Sequence, residues 1–495
     1  MNEITVRDEQ TKGKRVYNFI PKFIYENVIL QKAIKRAFPE NYNFEIYKCI
    51  DIILREKYKR IALQLPEGLL IWGLYISEIL YFFCNCVEDV IILGDVTYGG
   101  CCIDDYTSDK LNCDLIIHYG HSCLVPLTVT KIRCIYVFVD IKLNSNHVVE
   151  TIKKNFQKND IILLLGTIQF SCIVHNVHNV LKNENYFDIF LPIPQVLPLT
   201  KGEVLGCTSP NLYLFIYEHL IKEDGEYNKY IDHNKSNTKT QVYDHIHNGY
   251  KTNIINKESE TKEQNKIEIK VLEKKTNNTY IINKCKKFLK KNNVKIIFIA
   301  DGRFHIESLM IHNPDFCFYR YNPFDKTLSE EKYNYKLFHD IRKNEIKKCQ
   351  NFKTACIILS TLGRQGNINI LANLINIIKQ KNIYFFILLL SEIFNDKLKL
   401  FKNVDVFIQI GCPRLSIDWG NYNLKPLLNT YEAYVLLQSI EYQNIYPMDY
   451  YSKKGNVWSN FNAGIGDTNE KNLSMKEIIR RRIKLRQSKI NIHYD

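Results

Sequence analysis

The 495-residue chain is too long for one small core, and its length implies two or three domains. With 45% hydrophobic and 24% charged residues it has the balance of a globular protein, which excludes a wholly disordered or fibrous chain. The formal net charge of +14 admits a nucleic-acid partner, but the lysines are dispersed among asparagines and isoleucines, so no direct nucleic-acid contact is expected.

At the N-terminus, MNEITVRDEQTKGKR carries both charge signs and no apolar run, so a secretory signal is not expected. The longest apolar stretch, LLIWGLYISEILYFFCNCV, is broken by Ser77 and Glu78 and reads as a buried helix, not a membrane span. A cytoplasmic location without membrane association follows. Short runs rich in Ile, Val, Leu and Phe then recur: RIALQLPEG, DVIILGD, CDLIIHYGH, RCIYVFVDI and DIILLLGT, followed later by VKIIFIADG, TACIILSTLG, NIYFFILLLSE and VDVFIQIGC. They lack polar alternation, as strands buried on both faces do. Helix-length segments such as GLLIWGLYISEILYFF and NINILANLINIIKQKN separate many of them. Strand, helix, strand in repetition predicts an α/β fold of three similar domains with parallel sheets, whose functional groups gather at the carboxyl ends of strands.

Residues 222–280 are polar, rich in Asn and Lys, and too poor in apolar residues to offset the entropy of ordering. They read as a disordered insertion. The expected organisation is an N-terminal arm (1–45), α/β domain 1 (46–130), α/β domain 2 (131–290, with the insertion), α/β domain 3 (291–452) and a basic tail (453–495). The tail holds the cluster IIRRRIKLR, either a solvated end or a contact for an acidic or ribosome-associated partner.

Fifteen cysteines are many, and no Cys-x-x-Cys pair occurs, so any metal site must gather ligands from distant positions. Only Cys101, Cys207 and Cys412 directly follow a glycine, one in each inferred α/β unit. Glycine there permits a tight turn or the approach of a bulky group. Three such thiolates meeting at one point would suit an iron–sulfur cluster or zinc, and a cubane held by three would keep one iron open. The other reading is that they are buried small hydrophobes, as free cysteines often are.

The stretches GDVTYGGCCIDD, HYGHSCLVP, YVFVDIK, GEVLGCTSP, DGRFHIESLMI, TLGRQGN, LLLSEIF and CPRLSIDWG, in this order, resemble the diphthamide-synthesis family. The resemblance runs from about residue 35 to about residue 450, outside the insertion, and is nearest to the catalytic-subunit branch of the eukaryotic 2-(3-amino-3-carboxypropyl)histidine synthases. It implies three α/β domains around a central [4Fe-4S] cluster, with Cys101, Cys207 and Cys412 as the iron ligands. It also implies S-adenosylmethionine as substrate, bound at the open iron. Reductive cleavage of its sulfur to γ-carbon bond would give a 3-amino-3-carboxypropyl radical that adds to a histidine of translation elongation factor 2. This is the first step of diphthamide biosynthesis. The implied partners are that factor, a related second subunit in a heterodimer, and a separate electron-donor protein. A partner subunit that supports cluster reduction or assembly without catalysis is the alternative. Quinolinate synthase, likewise described as three α/β domains sharing a three-cysteine cluster, is less similar in its motifs.

Further residues qualify by type and place. Arg364 and Gln365 in TLGRQGN, and Arg303 in DGRFHIES, are candidates to bind S-adenosylmethionine, since Arg forms charge-assisted bonds to carboxylates. His305 and Glu307 lie beside Arg303. His118 and His121, near Cys123, are expected as hydrogen-bonded loop histidines rather than a zinc pair. Asp104 and Asp105 are expected to cap the next helix, and Asp418 and Trp419 to serve packing. Cys102 is expected to be a packing residue beside Cys101.

Overall fold

The computed structural model describes residues 20–94, 103–120, 130–221, 279–453 and 455–460. Cys101, Cys102, His121, Cys123, nearly all of the polar insertion and most of the basic tail lie outside them. The chain divides into two compact units, Met1–Lys142 and Leu143–Asp495.

The first unit carries β1 (Tyr42–Asn43), β2 (Arg60–Gln64), β3 (Asp89–Leu93), β4 (Leu115–Tyr119), β5 (Arg133–Val137) and β6 (Asp140–Ile141). Sheet one is wholly parallel in the order β3-β2-β4-β5. Side chains alternate across it: Ile61, Leu63, Ile117 and Ile135 meet the helices Ile46–Glu56 and Gly73–Phe83 through Cys49, Ile50, Ile53, Ile76 and Leu80. Ala62, Ile116 and Cys134 take the other face with Ile103 and Cys113. Each fully buried Ile or Leu stabilises the unit by roughly 1.5–3 kcal/mol. Residues of the expected N-terminal arm join the same core through Ile24, Leu30, Phe38 and Phe44, and β1 pairs antiparallel with β6.

The second unit contains two sheets. Sheet two is built from β7 (Ile161–Gly166), β8 (Val294–Ile299), β9 (Cys317–Asn322) and β10 (Thr327–Glu331), with β7, β8 and β9 parallel and β10 antiparallel at the edge. It therefore crosses residue 290, where the sequence places a division: VKIIFIADG pairs with DIILLLGT because both are largely apolar strands requiring two covered faces. Sheet three is formed by β11 (Thr354–Ser360), β12 (Tyr384–Leu390), β13 (Val406–Ile410) and β14 (Leu427–Leu428), all parallel, in the order β12-β11-β13-β14. Counting strands within each sheet, one and three share the order 2-1-3-4. Sheet two follows it once the bridges Ile162–Phe190 and Gly166–Glu203 on the free edge of β7 are taken as a reduced second strand.

Two expectations from apolar runs are corrected. LLIWGLYISEILYFF buries only one face, through Ile76, Ile79 and Leu80, while Leu74 and Phe82 are exposed. The strand β12 is an edge strand, not one covered on both faces, and Tyr384, Ile387 and Leu389 are exposed. Among the described residues no helix is long and apolar enough to cross a membrane.

Candidate functional site

The site lies in the second unit, at the carboxyl ends of β11 and β13, where the strand order of sheet three reverses. Open α/β sheets present ligand crevices at such points. Cys412 is the N-cap residue of the helix Pro413–Trp419, with Pro413 at the first helical position. Proline suits that place because its missing N–H has no intrahelical partner there. Gln409 Nε2 donates to the Cys412 carbonyl at 2.9 Å and to Ser416 Oγ at 3.1 Å, tying strand end to helix start. Gln409 Oε1 is buried and has no hydrogen-bond partner among the described residues. Further along, Arg342 Nη1 donates to the Ser416 carbonyl at 2.8 Å and Arg342 Nη2 to that of Leu427 at 3.3 Å. Its charge is met by Glu432, with both N–O distances 2.6 Å and both side chains wholly buried.

Cys207 sits in the loop that returns from the reduced strand of sheet two, where Leu205 and Thr208 bridge each other. The segment Met448–Tyr451 closes over it: Ser209 N donates to Met448 O at 2.9 Å, Tyr451 N to Thr208 Oγ1 at 3.1 Å and Tyr450 N to Cys207 O at 3.4 Å. Thr208 Oγ1 donates weakly to Cys207 Sγ at 3.7 Å.

Cys412 is close enough to Cys207 for its charge to be felt there. Burial, and then the neighbouring Cys412, push the Cys207 thiol up to about 12, while Thr208 and Arg414 oppose this. Burial raises Cys412 as well, against backbone N–H groups and the Arg414 charge. Arg414 organises the surroundings. Its Nε faces both oxygens of Asp418 at 3.0 and 2.9 Å, its Nη1 donates to Phe304 O at 2.8 Å, and its Nη2 to Glu307 Oε2 at 2.8 Å. The guanidinium also lies 4.2 Å from the Phe304 ring centroid. The ion pairs continue outward through Arg303, 3.5 Å from Glu307 and 2.7 Å from Glu331, to Arg320 at 2.9 Å from Glu331.

Two thiols beside a guanidinium, Cys207 buried and Cys412 half-buried, are suited to a soft metal or a metal–sulfur cluster, because thiolates are its preferred donors and binding would deprotonate them. The adjacent positive charge fits such a group. Among the described residues no set of three or more His, Cys, Asp or Glu side chains is arranged to hold a metal ion. The described part of the site is therefore a pair of thiols, and Cys101 stands outside it.

Residues 65–221 and 213–447 match the family model of diphthamide synthesis proteins. The chain belongs to the diphthamide-synthesis family. It is 41% identical over 443 residues to 2-(3-amino-3-carboxypropyl)histidine synthase subunit 1 of Debaryomyces hansenii, covering 89% of this chain and 87% of that one. The subunit 1 chains of Saccharomyces cerevisiae and Dictyostelium discoideum are each 39% identical, covering 89% of this chain and 86% and 78% of theirs. This member of the family is thus a homologue of the eukaryotic subunit 1 proteins. The crystal structure of Dph2 from Pyrococcus horikoshii with a 4Fe-4S cluster has a similar fold, with a TM-score of 0.55 and 18% identity, covering 82% of this chain and 93% of that one.

Of the residues singled out from sequence, Cys207 and Cys412 are neighbours. Gln365 is buried at the end of β11, its Oε1 3.5 Å from Ser360 Oγ, and Ser360 in turn packs against Gly411. Arg364 is half-buried in the same loop, after Gly363 at φ 51°. Arg303 is exposed and, among the described residues, is joined to the site through Glu307. His118 is not in a loop: it is a buried residue of β4, its Nδ1 3.1 Å from Gln64 Oε1. Asp104 caps the helix Asp105–Lys110 by accepting from Thr107 N at 3.1 Å, whereas Asp105 accepts from Lys131 N at 2.7 Å. Asp418 is more than packing, since it holds Arg414. Its four-residue spacing from Arg414 on a helix was a readable sign of that pair. Phe304, Gln409, Arg342 and Glu432 carried no comparable sign.

Proposed function

We propose that this chain works in 2-(3-amino-3-carboxypropyl)histidine synthase, transferring the 3-amino-3-carboxypropyl group of S-adenosylmethionine to a histidine of translation elongation factor 2. In this reading Cys101, Cys207 and Cys412 hold a [4Fe-4S] cluster, and the observation that carries it is that Gly206, next to Cys207, and Arg414, two residues after Cys412, both pack against Phe304. When bound, such a cluster supplies an electron to the sulfonium. Over the whole reaction 5′-methylthioadenosine leaves, the imidazole carbon gives up H⁺, a C–C bond replaces the S–C bond, and the electron is returned. The chain's own part is to bind and enclose. Gln365 and Arg364 offer polar groups to the amino-acid end of the substrate, Arg303 is a further candidate, and the Met448–Tyr451 segment shields Cys207 from water. A related second subunit, an electron-donor protein and a cytoplasmic setting complete the reading.

A second reading has support of its own. The described residues bring together two thiols and no third ligand, which suits a partner subunit that aids cluster reduction or assembly in a related chain. On the described residues alone this reading asks for less. The deciding experiment co-expresses the chain with its related subunit and tests the complex anaerobically with dithionite, S-adenosylmethionine and elongation factor 2. In the catalytic reading, Cys412→Ala in this chain abolishes transfer and its share of iron; in the partner reading both persist. Formation of 5′-deoxyadenosine alone, with no transfer, overturns both.

A further inference from the structure

We infer that Phe304 is a positioning residue that sets the separation of Cys207 and Cys412, its ring packed against both the Gly206 backbone and the Arg414 guanidinium. The inference deepens the cluster reading above and rests on it for its purpose, though not for its geometry.

Three observations converge. First, a methyl group placed on Gly206 would lie 2.1 Å from Phe304 Cε1, 2.6 Å from Cζ and 2.9 Å from Cδ1. No real side chain tolerates such distances, so the ring occupies the space that any other residue would need. The glycine before Cys207 is therefore dictated by Phe304. Second, Arg414 lies over the ring, 4.2 Å from the centroid, a cation–π distance. Third, Arg414 Nη1 donates to the Phe304 carbonyl and Nη2 to Glu307, so both the backbone and the following turn of the helix Phe304–His312 are fixed to the helix that begins at Cys412.

The consequence is a chain of contact from one cysteine to the other: Cys207, Gly206, the Phe304 ring, Arg414, Pro413, Cys412. Two thiols on loops of different sheets need such a spacer, because a shared metal group tolerates ligand displacements of only a few tenths of an ångström. Phe304 is also 43% exposed although its ring meets both Gly206 and Arg414. Its cost in exposed apolar surface fits a ring retained for position rather than for burial. The ring itself need not touch the substrate or the bound group.

The test uses the full chain with Phe304→Ala, Phe304→Leu and Gly206→Ala, each alone, and the double variant Gly206→Ala with Phe304→Ala. Two readouts are taken: iron per chain after anaerobic reconstitution, and the rate at which iodoacetamide labels Cys207 in the metal-free chain, mapped by peptide mass spectrometry. The expected labelling rates rise several-fold in Phe304→Ala, less in Phe304→Leu. Gly206→Ala is expected to lower the melting temperature, and the double variant to recover it, because the clash is gone, while iron stays low. A variant that merely loosened the fold would give additive losses instead. Wild-type labelling of Cys207 and wild-type iron in Phe304→Ala overturn the inference while leaving the cluster reading intact. If the unaltered chain holds no iron, the cluster reading fails, and the labelling rates alone decide the positioning role: raised rates support it, and unchanged rates overturn it. Should Phe304→Ala fail to fold, Phe304→Leu gives the same comparison in smaller measure.

Discussion

Sheets one and three are wound in the same order, and both have an aspartate at the same point. Asp114, before β4, accepts from Lys59 N and Arg60 N at 2.9 and 3.1 Å; Asp405, before β13, accepts from Lys353 N and Thr354 N at 2.8 and 2.9 Å. The likeness continues along the strands, since Leu115 faces Ile61 as Val406 faces Ala355. In this alignment His118 stands where Gln409 does, and Gly120-His121 where Gly411-Cys412 does. The frames are the same and the chemistry differs. Cys412 follows the third strand of its sheet, whereas Cys101 follows β3, the second strand of its own. The glycine–cysteine steps are therefore not copies of one repeated position, even though one falls near each sheet.

The largest difference between the two frames is the buried pair of Arg342 and Glu432, which holds the helix after Cys412 and has no counterpart among the described residues of sheet one. Arg342→Met leaves Glu432 buried without its partner, and a loss of about 3–5 kcal/mol in unfolding free energy is expected. A denaturant midpoint equal to that of the unaltered chain would show that the pair does not anchor sheet three. A second contrast concerns the matched glycines. Gly411 is required because a methyl group there would lie 2.9 Å from Ser360 Cβ, whereas Gly120 is required by its own backbone, at φ 128°. Gly411→Ala is expected to cost about 1–3 kcal/mol by overpacking, and adding Ser360→Gly should restore part of it. No side-chain deletion should restore Gly120→Ala, because its strain is in the backbone. Equal rescue, or none, in both sheets would break the contrast.

The smallest effect belongs to the shared aspartates. Asp114→Asn and Asp405→Asn each keep an acceptor but lose its charge, and closely matched small falls in melting temperature are expected. The Lys353 and Thr354 N–H groups hold the Asp405 carboxyl below its usual range. Its contribution is then complete above the unfolded carboxyl pKa of about 3.8 and is lost as pH falls through the lower folded value. A pH-melting profile in which Asp405→Asn departs from the unaltered chain only below that range would contradict the assignment.

Much of this was legible from residues alone. The strands β2, β4, β7, β11 and β13 are runs rich in Ile, Val and Leu without polar alternation, and their alternation with helices implied parallel sheets. The family motifs named Cys207 and Cys412, and both lie in the second unit. What was not legible depended on partners distant in sequence. Nothing local marks β12 as an edge strand, since YFFILLL reads like a covered one. The pairing of β8 with β7 is separated by the polar insertion, so apolar pattern could not assign it to sheet two. From sequence His118 reads as a loop residue, because a polar residue near a strand end usually is one, yet a hydrogen bond to Gln64 lets it stay inside the sheet. Phe304 lay unremarked in DGRFHIES because its role depends on Gly206 and Arg414, about a hundred residues away on either side.

The central claim is that Cys207 and Cys412 act together as ligands of one iron–sulfur group, with Cys101 as the third. Its most direct test is iron and sulfide content, with the visible absorption of the cluster, in anaerobically reconstituted chain carrying Cys101→Ala, Cys207→Ala or Cys412→Ala singly. The account predicts loss of the cluster signal in each of the three, with melting temperatures of the metal-free chains little changed. Iron and absorption at the unaltered level in all three variants would contradict it.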